Sequence, residues 1–250
     1  MKFVAVIPSR YDSSRFPGKA LALIKGIPMI QRVYEQVIKT DGLEHVFVAT
    51  DDFRIARVIE ESGGDVIMTS ADHASGTSRC NEAMATLVSG GFMGYDDIII
   101  NVQGDEPFID PGQITMVMKS FRDKGVRIST LVKRIDNYQE LFDENVVKVV
   151  VDKNARAIIF SRQAIPFSKE GGKEEWVRKY NYLKHIGLYA YRAKTLEELC
   201  QLEPSGLQKV ESLEQLNWIE HGYVIHTELT EIDSIGVDVP DDLLKFDNET

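Results

Sequence analysis

The chain has 250 residues, 43% of them hydrophobic and 27% charged, which is ordinary for a soluble globular protein of one large or two small domains. Its formal net charge of −10 argues against binding to nucleic acid or to an anionic membrane, because both need a broad positive surface. The two cysteines form no metal-binding pattern, and no apolar stretch has the length of a membrane span, so we expect a soluble protein of the cytoplasm.

The first half of the chain alternates between predicted strands and helices. Short apolar runs predict strands at residues 2–8, 45–52, 65–70, 98–102 and 127–132. Apolar residues at helical spacing predict helices at residues 28–40, 53–64 and 111–121. This alternation is typical of an α/β protein with a mostly parallel sheet, in which ligands bind outside the carboxyl ends of the strands.

The second half of the chain carries a different pattern. Two β-rich runs, 146–152 and 156–162, flank a short turn and predict an antiparallel hairpin. Beyond it we predict an exposed loop at 167–179, a strand at 183–192, an amphipathic helix at 208–222 and a strand leading into a helix at 235–246. We therefore expect a single domain over residues 1–250, with an antiparallel region inserted at about 145–230.

A cationic stretch, PSRYDSSRFPGK, follows the first predicted strand and contains Arg10, Arg15 and Lys19. The loop after the first strand of an α/β sheet is a common phosphate-binding position. No glycine-rich phosphate fingerprint is present, so cationic side chains would have to replace backbone N–H groups. The stretch predicts a polyphosphate site, and a solvated surface loop is the alternative.

Two acidic residues, Asp105 and Asp238, each follow an apolar run. Mg²⁺ in proteins often takes one or two carboxylates together with substrate phosphates. If both residues reach the same crevice as the cations, the set predicts a site for a metal and a nucleotide. The alternative is that Asp105 and its neighbour Glu106 lie in a solvated turn punctuated by glycine and proline.

Three further features allow both a structural and a functional interpretation. In residues 71–79, Thr77 or Ser78 would cap the following helix, or the segment would contact a base or sugar. His185 lies in a predicted strand, where packing is a commoner role than catalysis. Glu211 and Gln215 are four residues apart, which places them on one face of the predicted helix.

Taken in order, these stretches resemble the cytidylyltransferases that activate the sugar acid 3-deoxy-D-manno-octulosonate (Kdo), the CMP-Kdo synthetases. The resemblance covers nearly the whole chain through IPSRYDSSRFPGKAL, VATDD, DHASGTSR, INVQGDEPFI, VVKVVVD, IIFSRQAIPF, YLKHIGLYAYR, ESLEQL and IGVDVPDDL. It implies a Rossmann-like nucleotide-diphospho-sugar transferase fold and a Mg²⁺-dependent transfer of CMP from CTP to Kdo. Ser9 and Ala20 stand where the family often has alanine and proline, and neither change removes a charged group.

The resemblance also implies roles for individual residues. Contact with CTP is implied for Arg10, Arg15, Lys19, Ser75, Gly76 and Gln103, with Thr77 beside them. Contact with the sugar is implied for Gln103, Arg162, His185, Tyr189, Glu211 and Gln215. Mg²⁺ would be bound by Asp105 and Asp238, and the catalytic residues would be Arg10, Lys19 and Asp105.

The resemblance further implies a homodimer, with the inserted region at its interface. Two alternatives stay open at this point. The sugar could be a related acid sugar, namely 8-amino-3,8-dideoxy-manno-octulosonate or a sialic acid. The chain could also be a non-catalytic regulator that binds CTP without turnover.

Overall fold

A computed structural model describes residues 1–12 and 16–246 as eleven strands, nine α-helices and three short 3-10 helices. Arg15, a predicted CTP contact, lies outside the described residues. The strands are β1 Phe3–Ser9, β2 Leu23–Ile24, β3 Ile27–Pro28, β4 His45–Thr50, β5 Asp65–Met68, β6 Ile98–Asn101, β7 Ile128–Arg134, β8 Lys148–Val151, β9 Ala157–Ser161, β10 Leu183–Arg192 and β11 Ile225–Thr230. The helices are α1 Met29–Val37, α2 Phe53–Glu61, α3 Gly76–Ser89, α4 Pro111–Ser120, α5 Tyr138–Phe142, α6 Trp176–Lys179, α7 Ala193–Cys200, α8 Gly206–Glu211 and α9 Glu214–Glu220.

The main sheet has the strand order β11-β7-β10-β6-β1-β4-β5. Strand β10 runs antiparallel to both of its neighbours in this path, and the other pairs are parallel, which confirms the prediction of a mostly parallel sheet. The predicted hairpin is β8–β9, attached to β10. Strands β1 and β6 are neighbours in parallel register, so the cationic stretch and the QGDEP segment leave the sheet at the same edge.

The core lies on both faces of the sheet. Alternate residues of β1 point to opposite sides, so that Val4 and Val6 pack with α3 and α7, whereas Ala5 and Ile7 pack with α1, α2 and α4. Because both faces are covered, the central strands are apolar at nearly every position. In the described ranges, no helix is long and apolar enough to cross a membrane.

The predicted helix at 208–222 is wrong in one respect, because it is two helices. Ser212 ends α8 in the left-handed conformation, with φ of 53°, and α9 begins at Glu214. A residue in this conformation stops a helix and redirects the chain. Glu211 and Gln215 therefore lie on different helices and do not share one helix face.

Two other predicted segments also differ. The segment 167–179 is not wholly an exposed loop, since it forms α6, whose Trp176 is buried in a small cluster with Leu141 and Tyr182. The segment 235–239 forms no strand, and a 3-10 helix follows at Pro240–Phe246. Instead of pairing with a strand, Val237 donates its N–H to the carbonyl of Asp105 at 2.9 Å.

Candidate active site

A cleft of about 320 Å³ opens where β1 and β6 end and α3 begins. The elements explain its position, because the carboxyl ends of neighbouring parallel strands leave a crevice that loops and helix N-termini surround. Most of the predicted nucleotide and metal residues line it: Arg10, Lys19, Ser75, Gly76, Gln103, Asp105 and Asp238.

Gly104 allows the ends of β1 and β6 to approach each other on the floor of the cleft. A Cβ atom at this position would lie 2.8 Å from the carbonyl oxygen of Pro8, which is closer than van der Waals contact allows. Glycine is required here for close backbone approach. This close approach of the two backbones brings Gln103 and Asp105 next to the loop that carries Arg10.

Three oxygen atoms surround the ammonium group of Lys19. Its Nζ donates to Asp105 Oδ2 at 2.6 Å and to the carbonyl of Val237 at 2.9 Å, and Asp238 Oδ1 lies 4.0 Å away. The charge of Lys19 is therefore already balanced by Asp105.

The oxygen atoms around Lys19 fit a magnesium ion. Mg²⁺ prefers hard oxygen donors and commonly uses one or two carboxylates, with phosphate oxygens and water as its other ligands. Asp105 and Asp238 come from distant parts of the chain, yet they converge on one positively charged atom, as ligands of a cation do. These two residues would hold the ion.

The N-terminus of α3 also faces the cleft, through Gly76. The structural interpretation of this segment made Thr77 or Ser78 its cap, and that is wrong, because the cap is Ser75. Its Oγ accepts from the N–H of Ser78 at 3.2 Å, and its own N–H donates to the hydroxyl of Ser78 at 3.3 Å. This reciprocal pair holds the first turn of the helix, whose free N–H groups and dipole favour an anion.

Two residues near the cleft were missed by the sequence analysis. Arg79 is buried and lines the cleft, with Nη1 donating to Thr69 Oγ1 at 2.6 Å and lying 3.0 Å from Asp51 Oδ1. Glu214 accepts hydrogen bonds from the hydroxyls of Ser75 and Thr77. Both belong to the quoted motifs DHASGTSR and ESLEQL, but nothing in their spacing indicates these contacts.

The predicted sugar residues Arg162 and Glu211 contact each other beside β9. The Glu211 carboxylate accepts from the hydroxyl of Ser161 at 2.7 Å and from the N–H of Arg162 at 2.9 Å. In return, Arg162 Nε donates to the carbonyl of Glu211 at 2.9 Å. Together these bonds fix the end of β9 against α8.

The predicted sugar residues His185 and Tyr189 lie together on β10, with ring centroids 5.1 Å apart. Burial lowers the pKa of His185 to about 3, so its imidazole is neutral, and its Nε2 is 3.0 Å from Thr130 Oγ1. Burial raises the pKa of Tyr189 well above its usual value. Within the described ranges, the buried Tyr189 hydroxyl has no hydrogen-bond partner.

The main cleft does not include Arg162, His185, Tyr189, Glu211 or Gln215, which lie in the adjoining part of the fold. A hydrogen bond connects the regions, because Gln103 Nε2 donates to the carbonyl of Gly187 on β10 at 3.1 Å. Within the adjoining part, the rings of Phe160 and His185 are 5.2 Å apart. The structure therefore gathers the predicted residues into two neighbouring groups joined through β10.

Comparison with known proteins identifies the family. The family model described as Cytidylyltransferase matches residues 4–229. The chain belongs to this family. The cytidylyltransferase is 50% identical over 249 residues to the 3-deoxy-manno-octulosonate cytidylyltransferase of Parabacteroides distasonis, with 98% of this chain and 96% of the relative covered. It is 44% identical over 244 residues to the enzyme of the same name from Thermodesulfovibrio yellowstonii, with 97% and 96% covered.

Solved structures give the same assignment. The cytidylyltransferase superposes with a TM-score of 0.89 and 41% identity on a CMP:2-keto-3-deoxy-manno-octonic acid synthetase complexed with CTP, covering 98% of this chain and 96% of that one. A 4-diphosphocytidyl-2C-methyl-D-erythritol synthase from Anaerococcus prevotii has a TM-score of 0.63 at 11% identity, covering 98% and 94%, and shares the fold alone. The predicted family and fold class are confirmed.

Proposed function

We propose that this cytidylyltransferase transfers CMP from CTP to Kdo, releasing pyrophosphate, and so activates Kdo for lipopolysaccharide biosynthesis. The observation that carries the proposal is the cleft in which Arg10, Lys19 and the N-terminus of α3 face Asp105 and Asp238. The half-identical relative named for this sugar acid and the similar structure that holds CTP support it.

The reaction needs little covalent chemistry from the protein. The anomeric hydroxyl of the sugar attacks the α-phosphorus of CTP in line, an O–P bond forms, and the bond to the pyrophosphate oxygen breaks. Arg10 and Lys19 would stabilise the negative charge on the phosphates, and the N–H groups that open α3 would add fixed dipoles. Positioning and charge stabilisation then account for the rate.

Mg²⁺ is the proposed cofactor, held by Asp105 and Asp238. When bound it would neutralise phosphate charge and favour loss of the proton from the attacking hydroxyl. Asp105 has a second partner in Lys19, whose Nζ is 2.6 Å from its carboxylate. This pairing would keep the carboxylate oriented toward the cleft before the ion arrives.

The sugar is proposed to contact Gln103, Arg162, His185, Tyr189, Glu211 and Gln215. Arg162 brings a guanidinium group suited to the carboxylate of a sugar acid. His185 is neutral, and the Tyr189 hydroxyl is protonated and unpartnered among the described residues, so both suit sugar hydroxyl groups. The buried Tyr189 hydroxyl would gain the hydrogen bond that it lacks.

We also propose a homodimer that works in the cytoplasm, where CTP is available. The inserted region at about 145–230 exposes large apolar side chains, with Ile158 54%, Ile159 37% and Val210 84% exposed. Exposed apolar residues of this kind are typical of protein interfaces. Sedimentation of the purified chain at micromolar concentration would show a dimer, and a monomer would contradict this part of the proposal.

A panel of sugar acids tests the function. CTP and Mg²⁺ are supplied with Kdo, with 8-amino-3,8-dideoxy-manno-octulosonate or with a sialic acid, and pyrophosphate release is measured. We expect the highest kcat/KM with Kdo. Pyrophosphate release with only one of the other sugars would mean that this sugar, and not Kdo, is the substrate. CTP binding without pyrophosphate release in the presence of any sugar would favour a regulator.

A further inference from the structure

Glu214 bridges the two groups of predicted substrate residues. It is the first residue of α9 and precedes Gln215 in the proposed sugar site. Its Oε1 accepts from the Ser75 hydroxyl at 3.1 Å, and its Oε2 accepts from Thr77 Oγ1 at 2.6 Å. A side chain from the sugar side therefore holds the first turn of the helix that faces the main cleft.

The position of α9 is itself fixed by the sheet. Trp218 on α9 packs edge-on against Tyr189, with ring centroids 5.2 Å apart, and against Tyr191, with centroids 5.6 Å apart. Tyr189 is in turn 5.1 Å from His185, measured between rings. A sugar that orders these β10 side chains would thereby act on the helix that carries Glu214.

The geometry of Ser75 depends on Glu214. A hydroxyl has one proton, and Ser75 donates it to Glu214, which leaves its lone pairs to accept from Ser78. Burial raises the pKa of Glu214, and the hydrogen bonds from Thr77 and Ser75 oppose that rise. In the described part of the chain, no cation forms a salt bridge with Glu214, and the hydroxyls of Ser75 and Thr77 are the side chains that donate to its carboxylate.

We propose that Glu214 is a positioning residue that couples the sugar site to the nucleotide site through Ser75 and Thr77. The proposal rests on the proposed function, since it assigns the two sites to Kdo and CTP. Sugar binding restricts α9, and α9 holds the N-terminus of α3 in the conformation that binds CTP. Because such coupling is reciprocal, each substrate raises the affinity for the other.

Calorimetry with an unreactive sugar measures the coupling. The probe is the Kdo analogue in which hydrogen replaces the anomeric hydroxyl, so that no transfer occurs, and CTP is titrated with and without it. In the wild-type protein we expect the analogue to tighten CTP binding about fivefold or more, the usual scale of allosteric coupling. In Glu214→Gln, which keeps the shape but removes the charge, we expect less than about a twofold effect and about tenfold weaker CTP binding.

Matched variants separate positioning from loss of structure. Glu203→Gln removes the same charge from an exposed side chain and should leave both CTP affinity and coupling unchanged. Ser75→Ala and Glu214→Ala both remove the Ser75–Glu214 hydrogen bond, so the double variant should weaken CTP binding by less than the sum of the two single effects. If Glu214→Ala fails to fold, the isosteric Glu214→Gln and Thr77→Val still measure the coupling.

Turnover with Kdo is measured first in the wild-type protein, so the two proposals fail differently. Absence of pyrophosphate release contradicts the proposed function. Normal turnover combined with unchanged coupling in Glu214→Gln, or with no coupling in the wild type, overturns the role of Glu214.

Discussion

At the scale of single residues, the buried Lys148 holds in place Arg162, a residue of the proposed sugar site. Its side chain is fully buried, and its Nζ donates to the carbonyl groups of Asp143 at 2.7 Å, Val146 at 2.5 Å and Arg162. Burial lowers the pKa of this lysine. The sequence marks Lys148 only as an interruption in the strand VVKVVVD, so this contact with the proposed sugar residue Arg162 could not be predicted.

Lys148→Met should destabilise the fold, because it leaves three carbonyl groups without their donor. We expect the free energy of unfolding to fall by about 2–4 kcal/mol, measured by urea denaturation. Lys194 is exposed, and Lys194→Met should change it by less than about 0.5 kcal/mol. Equal stability of the two variants would show that the carbonyl contacts of Lys148 contribute nothing.

His185 makes a prediction about pH. Its pKa is about 3 in the folded protein and about 6.5 when unfolded, so between these values the unfolded chain binds a proton that the folded protein does not. Protonation therefore favours unfolding, and stability falls as the pH drops below 6.5. Between pH 7 and pH 5 this residue should remove about 2 kcal/mol of stability.

His185→Gln, which cannot take up a proton, isolates that contribution. Over the same pH interval, the free energy of unfolding of the variant should fall by about 2 kcal/mol less than that of the wild type, measured by denaturant unfolding. His221 directly follows α9 and is exposed, so His221→Gln serves as the control for replacing a histidine. Parallel pH curves for the wild type and His185→Gln would mean that His185 is not held neutral.

At the scale of elements, the first half of the fold could be predicted closely from the sequence. Apolar runs such as Ile98 to Ile100 form buried strands because both sheet faces are covered, and that burial is visible in the residue types. Pro28 and the apolar spacing after it likewise indicated the start of α1. Local pattern and tertiary environment agree in this part of the chain.

The second half depends more on contacts that the sequence does not display. Ser212 takes a left-handed conformation although serine has no strong preference for it, so the break between α8 and α9 leaves no clear signal. Val237 gave the pattern of a strand, but it is buried in a small cluster with Ile24 and Met29 and bonds to Asp105. Trp176 follows a polar segment, yet it is buried by neighbours that are distant in sequence.

At the scale of the whole molecule, the charge is distributed to suit two anionic substrates. The chain carries a net charge of −10, yet Arg10, Lys19 and Arg79 all line the main cleft. The sequence predicted that Arg10 and Lys19 would meet in one phosphate site. The resemblance to the family implied that Asp105 and Asp238 would face them. The Lys19–Asp105 ion pair was not foreseen, because it depends on the close approach of β1 and β6 at Gly104.

The antiparallel strand β10 joins the two parts of the proposed active site. It lies between β6, which leads into Gln103 and Asp105, and β7, and it carries His185 and Tyr189. Substrates bound on either side would thus contact one rigid sheet. This arrangement places the proposed sugar site next to the cleft within the same sheet.

The cleft around Asp105 is the proposed place of the transfer. The most direct test compares pyrophosphate release from CTP and Kdo by the wild-type protein and by Asp105→Asn, at saturating substrates and Mg²⁺. We expect kcat to fall by about a hundredfold or more, the scale of a single electrostatic group in an active site. Asp96→Asn, at an exposed position away from the cleft, should keep its kcat. Near-normal turnover by Asp105→Asn would show that Asp105 takes no part in the transfer.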